Sequence, residues 1–153
     1  YCLRLRSLGH RTAALVSAVF YHEYEFSKNV NKYYLIERNR WLIVLTYYKL
    51  TTILLLAPMF LLTEACIWIF ALKNGWVRQK IRAISFWLKK SSWRMVLEKR
   101  KNIQLNRIIG DRELLRLAVG KIEFEAVNNW LLKYIINPIL ATYWKIAYWL
   151  LRW

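Results

Sequence analysis

The run from Trp41 to Leu72 constrains this chain most, being almost continuously apolar and broken only by Lys49, several Thr and Tyr, Pro58 and Glu64. A helix needs about 20 apolar residues to cross a bilayer, and Ile53 to Leu72 supplies that many. The whole chain of 153 residues is 58% hydrophobic and 16% aromatic, with nine Trp and ten Tyr, more apolar surface than a water-soluble core of that length can use. It also carries 25 Lys and Arg against nine acids, a net charge of +16. High apolar content joined to high basic charge points to an anionic membrane surface as the partner.

Nucleic acid is the other anionic partner that a basic, aromatic-rich chain can meet. No helix-turn-helix, zinc-finger or ribonucleoprotein signature appears, and the apolar runs are too long for that use, so no nucleic-acid partner is expected. Cys2 stands beside a charged helix and Cys66 inside an apolar run, so no disulfide framework is implied. With only His10 and His22 available, a structural zinc site is not expected either. The chain starts at Tyr1 without Met or a signal-peptide pattern and is expected to be a fragment.

Local patterns give a mainly α chain. Residues 1–11 predict a short amphipathic helix closed by Gly9, and residues 12–21 (TAALVSAVFY) a buried strand. A polar loop from His22 leads to a helix starting near Tyr33, with a domain boundary close by, so residues 1–40 and 41–153 form two regions. Pro58 is a natural breaker near the middle of the apolar run, which favours a re-entrant hairpin or an in-plane helix pair, with Lys49 and Glu64 paired on its two arms. Residues 76–97 predict one basic amphipathic helix. Val77, Ile81, Ile84, Leu88 and Met95 form its apolar stripe, widened by Trp76, Phe86, Trp87 and Trp93, and Arg78, Arg82 and Lys89 face away. Eleven basic residues and one acid, Glu98, lie between Lys73 and Arg107. Gly110 closes a helix and Asp111 caps the next, before a second interfacial segment from Trp130 to Trp153 that Asn137-Pro138 interrupts.

The first forty residues also carry specific motifs: Cys2-Leu3-Arg4-Leu5-Arg6 with Gly9, then Tyr21-His22, then Tyr33-Tyr34 and Glu37-Arg38-Asn39-Arg40. In that order they resemble the region after the catalytic acid motif in family 2 glycosyltransferases. The apolar run with Pro58 and Glu64, and residues 100–114, resemble the membrane-associated tails of bacterial members less specifically. The resemblance implies a transferase of GT-A fold using a nucleotide-diphospho-sugar donor and a glycan or polyprenyl-diphosphate-linked acceptor. On this reading residues 1–40 are the helix-strand remnant of the GT-A α/β domain and 41–153 a helical membrane-associated tail, with re-entrant or interfacial hydrophobic helices and the basic amphipathic helix. The general base would lie upstream of Tyr1, so the chain alone is expected to be an inactive anchoring part.

By the same resemblance the donor diphosphate needs a divalent cation, Mg or Mn, and His22 matches a His that the family often uses as a ligand. The alternative for His22 is a strand-end residue satisfied by the backbone. Glu37-Arg38-Asn39-Arg40-Trp41 is similar to the QxxRW motif of processive synthases, with Glu37 in place of Gln, which implies donor or acceptor contact. Arg38 and Arg40 suit a diphosphate by charge-assisted bonds, or equally an interfacial anchor. Arg100, Gln104 and Arg107, with Asp111, project onto one helical face as a possible site for lipid or acceptor phosphate, against the alternative of a solvated or headgroup-facing surface. Because donor sugars are cytosolic and the positive-inside rule puts the basic segment after Leu72 in the cytosol, both flanks of the apolar run are expected on the cytosolic face of the cytoplasmic membrane. The competing expectation is a non-enzymatic, basic membrane-surface or structural membrane protein.

Overall fold

The computed structural model describes residues 1–13, 15–19, 21, 30–123 and 130–153. It is mainly helical: α1 (Cys2–Ser7), α2 (Asn31–Tyr47), α3 (Leu50–Lys73), α4 (Val77–Trp87), α5 (Lys90–Asn106), α6 (Asp111–Leu114), a π-helical turn (Leu132–Ile136) and α7 (Asn137–Leu150). These divide into two compact units, residues 1–47 with 76–109, and residues 48–75 with 110–153. Residues 40 and 41, where the composition changes, lie inside α2.

In the first unit α1 ends as its sequence predicts. Gly9 adopts φ +81°, the Gly9 N–H donates to the Arg6 carbonyl and the His10 N–H to Leu5, which closes the helix in a Schellman motif. The strand expected over 12–21 does not form: no strand occurs among the described residues, and Leu15, Val16, Val19 and Tyr21 are exposed. A β-prone segment needs a second strand to satisfy its backbone, and among the described residues none is available.

The helix expected over 76–97 is divided. Lys89 is extended (φ −84°, ψ 131°) and starts α5, while the Trp93 indole N–H donates to the Trp87 carbonyl at 2.7 Å across the break. Ser91 and Ser92 follow, residues that favour a first helical turn over a helix interior. On α4 the inward stripe is Trp76, Lys80 and Ala83 with half-buried Trp87, whereas Ile81, Ile84 and Leu88 are 55, 40 and 81% exposed. The apolar stripe read from the sequence therefore faces outward, about a quarter turn from the packed face.

The second unit is built on α3, which runs unbroken through Pro58 for 24 residues. The re-entrant hairpin is thus corrected. Pro removes one backbone donor and strains the preceding turn, but one proline bends a helix of otherwise strong formers rather than reversing it. Next to the Leu54 carbonyl, which Pro58 leaves without its helical donor, the Tyr143 hydroxyl donates to the Leu55 carbonyl at 2.7 Å. The Lys49–Glu64 pair falls with the hairpin, because fifteen residues of one helix separate them by about 22 Å. Leu56, Leu115, Ala147 and Leu151 form the small core, with Tyr48, Leu55, Met59, Phe60, Tyr143, Trp144 and Tyr148 around it.

The second unit closes at one end through buried Asp111. Its carboxylate accepts from the Lys49 backbone N–H at 2.7 Å and from the Thr52 hydroxyl, at the N-terminus of α3, where the helix dipole favours a negative charge. Asp111 thus caps α3 by its side chain rather than the helix that it begins. Arg112 does the converse for α7, its backbone N–H donating to the Trp153 carbonyl and its guanidinium to the Leu151 carbonyl at 2.9 Å. At the other end the Asn137 amide pairs with both the N–H and the carbonyl of Ile122, and the π turn gives way to α7 there, with Pro138 in the first turn of α7.

Candidate functional site

The residues singled out in the sequence fall mostly in the first unit, where α2 packs on α4 and α5. Glu37 lies inward on α2, 4% exposed, and its carboxylate meets the Lys80 ammonium of α4 and the Arg40 guanidinium one turn on, the latter at 3.1 Å. Lys80 is itself only 1% exposed, so this is a buried carboxylate held between two cations. Beside it Tyr33 stacks on Trp76, with ring centroids 4.5 Å apart and planes within 10°.

Arg38 points another way. Its guanidinium lies over Tyr34 and Phe86 at 5.4 and 5.6 Å and donates to the Asn39 side-chain oxygen at 3.0–3.1 Å. Arg82 covers Tyr34 at 4.5 Å, and Arg40 sits 5.1 Å from the Trp41 ring. The Glu37–Trp41 segment is therefore spread around the helix, as a run of five consecutive helical residues must be. Glu37 and Arg40 form one packed pair, Arg38 an aromatic-covered cation, and Asn39 an outward amide.

Arg100, Gln104 and Arg107 do share one face, and their side chains turn toward the C-terminal end of α2. Arg100 donates to the Leu45 carbonyl at 2.6 Å, Gln104 to Thr46 and Tyr47, and Arg107 to Tyr47 at 3.0 Å. They satisfy the last carbonyls of α2, which no residue inside that helix can reach, and place positive charge at its negative dipole end. Asp111 does not join this face, because α5 stops at Asn106.

On the opposite flank of the same packing lies a cleft of ≈ 470 Å³. Arg4 of α1, Asn39, Leu42, Ile43, Thr46 and Tyr47 of α2, and Lys99, Asn102 and Ile103 of α5 line it. No acid lines it. Its walls are fixed by the contacts just described and by the Ile108 N–H, which donates to the Ser7 carbonyl at 2.8 Å and ties α1 to the segment after α5.

His22, the expected metal ligand, lies outside the described residues. Among the described residues no three His, Cys, Asp or Glu side chains gather as a metal site. In comparisons with protein-family models, curated proteins and solved structures, none matches this chain.

Sequence reasoning missed Lys80, the partner of Glu37, and the Lys99–Asn102 side of α5. Lys80 carried a signal: Trp76, Lys80, Ala83 and Trp87 recur at helical spacing, and a lysine between aromatics on such a stripe asks for a carboxylate. Lys99 and Asn102 carried none, because only the docking of α1 turns that face of α5 into a cleft wall.

Proposed function

We propose that this chain is a membrane-bound helical part of a glycosyltransferase of family 2, held on the cytosolic face of the membrane by α3 and by its basic, aromatic-rich surface. The membrane half of the reading is carried by α3. It is long and apolar enough to cross a bilayer, and only 6% of its apolar window is buried, unlike the core helix of a soluble protein. The enzymatic half rests on the ordered motifs of the first forty residues alone. In that reading the Glu37–Trp41 segment belongs to the acceptor or donor side of a nucleotide-sugar site, His22 to its divalent metal, and a polyprenyl-diphosphate or glycan to its acceptor.

The chain connections favour an α3 that lies along the membrane rather than through it. α2 leads into α3 and α4 follows it, and Tyr33 with Trp76, and Glu37 with Lys80, hold α2 and α4 together in the first unit. A full crossing would drag Lys32, Glu37, Arg38 and Arg40 of α2 through hydrocarbon to keep those contacts. A charge at the bilayer centre costs about 2.5–3.5 kcal/mol even on the mildest scale. Both flanks of α3 then stay on one face, where Ile81, Ile84 and Leu88 meet lipid beside Arg78, Arg82 and Lys89.

The test uses sealed vesicles and a chain with Cys2 and Cys66 replaced by Ser. Single cysteines at Lys49 and Asn74, on either side of α3, should both react with an impermeant maleimide from the same side. Reaction from opposite sides would replace the reading with a spanning helix. For the enzymatic half, binding of a nucleotide-diphospho-sugar by the full-length protein, weakened by Arg38→Ala, is the expected result.

The second reading, a non-enzymatic basic membrane protein, is favoured by the use of Glu37, Arg40, Arg100, Gln104 and Arg107 in packing and capping. Absence of any nucleotide-diphospho-sugar binding by the full-length protein would decide for it.

A further inference from the structure

We propose that the cleft between α1, α2 and α5 binds the phosphate headgroup of an anionic lipid, with the first part of its chain lying on the apolar wall. The inference deepens the membrane reading given above and rests on it. The predicted phosphate contacts, Arg100, Gln104 and Arg107, hold the end of α2. Their neighbours one or two positions away, Lys99 and Asn102 with Ile103, turn to the other flank of α5 and line the cleft with Arg4 and Asn39.

The lining divides by chemistry. Arg4, Lys99, Asn39 and Asn102 offer two cations and two amides, with no carboxylate among them, which is a set for a phosphate and not for a cationic or neutral group. Leu42, Ile43, Ile103 and the Tyr47 ring form the remaining wall, which a free phosphate has no use for. The Thr46 hydroxyl is committed to the Leu42 carbonyl at 2.6 Å and adds no polar contact to that side. A space of ≈ 470 Å³ takes a phosphate and a few carbons of chain but not a whole lipid, so the remainder of the tail must leave the cleft for the bilayer.

The four polar residues of the cleft are exposed, and the fold sets where they stand. Glycine at position 9, with φ +81°, turns the chain at the end of α1, and a Cβ added there would lie 3.8 Å from the Ile108 side chain. The Ile108 N–H bond to Ser7 then keeps Arg4 opposite Lys99.

The experiment titrates the full chain, in a neutral detergent, with a fluorescent phosphatidic acid, and separately with inorganic phosphate and pyrophosphate as competitors. Saturable lipid binding is expected, about tenfold weaker in Arg4→Gln and in Lys99→Gln, as fits loss of one charge-assisted contact. Lys101→Gln and Arg94→Gln remove equal charge from exposed positions outside the cleft and should change it less than twofold. Equal losses in all four variants would overturn the proposal in favour of diffuse attraction. Displacement by inorganic phosphate at the lipid's own affinity would overturn the apolar half of it.

Circular dichroism on each variant checks that the helices remain. Ile103→Ser, which keeps the charges, should weaken the lipid and leave pyrophosphate competition unchanged. Flotation with vesicles separates the two proposals. A chain that floats but shows no saturable lipid binding retains the membrane reading and loses the cleft, whereas a chain that binds lipid in detergent but never floats does the reverse.

Discussion

Glu37 and Lys80 form a buried ion pair in the first unit, and removing either partner should have unequal effects. Glu37→Gln takes the anion away from two cations at once, Lys80 at 1% exposure and Arg40 at 23% side-chain exposure. Breaking a buried pair by deleting one partner costs about 3–5 kcal/mol, because a charge is left in a poor solvent. Lys80→Met leaves Glu37 with Arg40 at 3.1 Å and replaces the lysine stem with a similar apolar one, so about 2 kcal/mol is expected. The double change Glu37→Leu with Lys80→Met should recover most of the loss, since an apolar pair of similar volume removes the desolvation cost of both charges.

For a chain of this size about 1 kcal/mol shifts the melting temperature by about 2–4 °C, which puts Glu37→Gln near 10 °C below the parent and Lys80→Met near 5 °C. Thermal unfolding in neutral detergent, followed by far-UV circular dichroism and by Trp fluorescence, measures both. A Lys80→Met loss equal to or larger than that of Glu37→Gln would refute the argument, because it would mean that Arg40 does not share the carboxylate.

In the second unit, Asp111→Ala should cost about 2–3 kcal/mol, since it removes the acceptor for the Lys49 N–H and the Thr52 hydroxyl in a buried site. The same unfolding measurement checks it, with Thr52→Val losing about half as much. Gly120→Ala should destabilise by about 1–3 kcal/mol, because its methyl group would meet the Trp144 side chain well inside contact distance, and the loss should shrink when Trp144→Leu is added. Pro58→Ala should restore a backbone donor inside α3 and raise the melting temperature; a drop would show that the proline ring is needed for packing. Arg100→Ala and Gln104→Ala should each loosen the end of α2 by about 1–2 kcal/mol, read as faster amide hydrogen exchange over residues 44–47.

How much of this was legible from the chain differs by element. The Gly9 stop after α1 and the closure of α3 at Asn74 and Gly75 follow from local backbone preferences. Gly9 and Gly75 both take the positive φ that their lack of a side chain permits. The apolar length of α3 was legible for the same reason, since hydrophobicity is a property of residues and not of their neighbours in space. Pro58 misled because its local cost is real, yet a helix already held by twenty-three other residues can absorb about 3 kcal/mol. Residues 12–21 misled because β propensity describes a side chain on a paired surface, and pairing is not a local property.

The Trp41–Leu72 run showed by itself an apolar stretch long enough to cross a bilayer, but not that it divides at Tyr48–Lys49 between α2 and α3 and continues unbroken through Pro58. The tertiary structure alone decided which polar residues serve the fold. Arg100, Gln104 and Arg107 are the same kinds of residue as Arg4, Lys99 and Asn102, cations with one amide in each group. What separates them is that the last carbonyls of α2 lie within reach of the first three, while Lys99 and Asn102 line a cleft together with Arg4 of α1. A hydrogen-bond partner far away in sequence is set by packing, so only the folded chain could assign one group to the end of a helix and the other to a cleft.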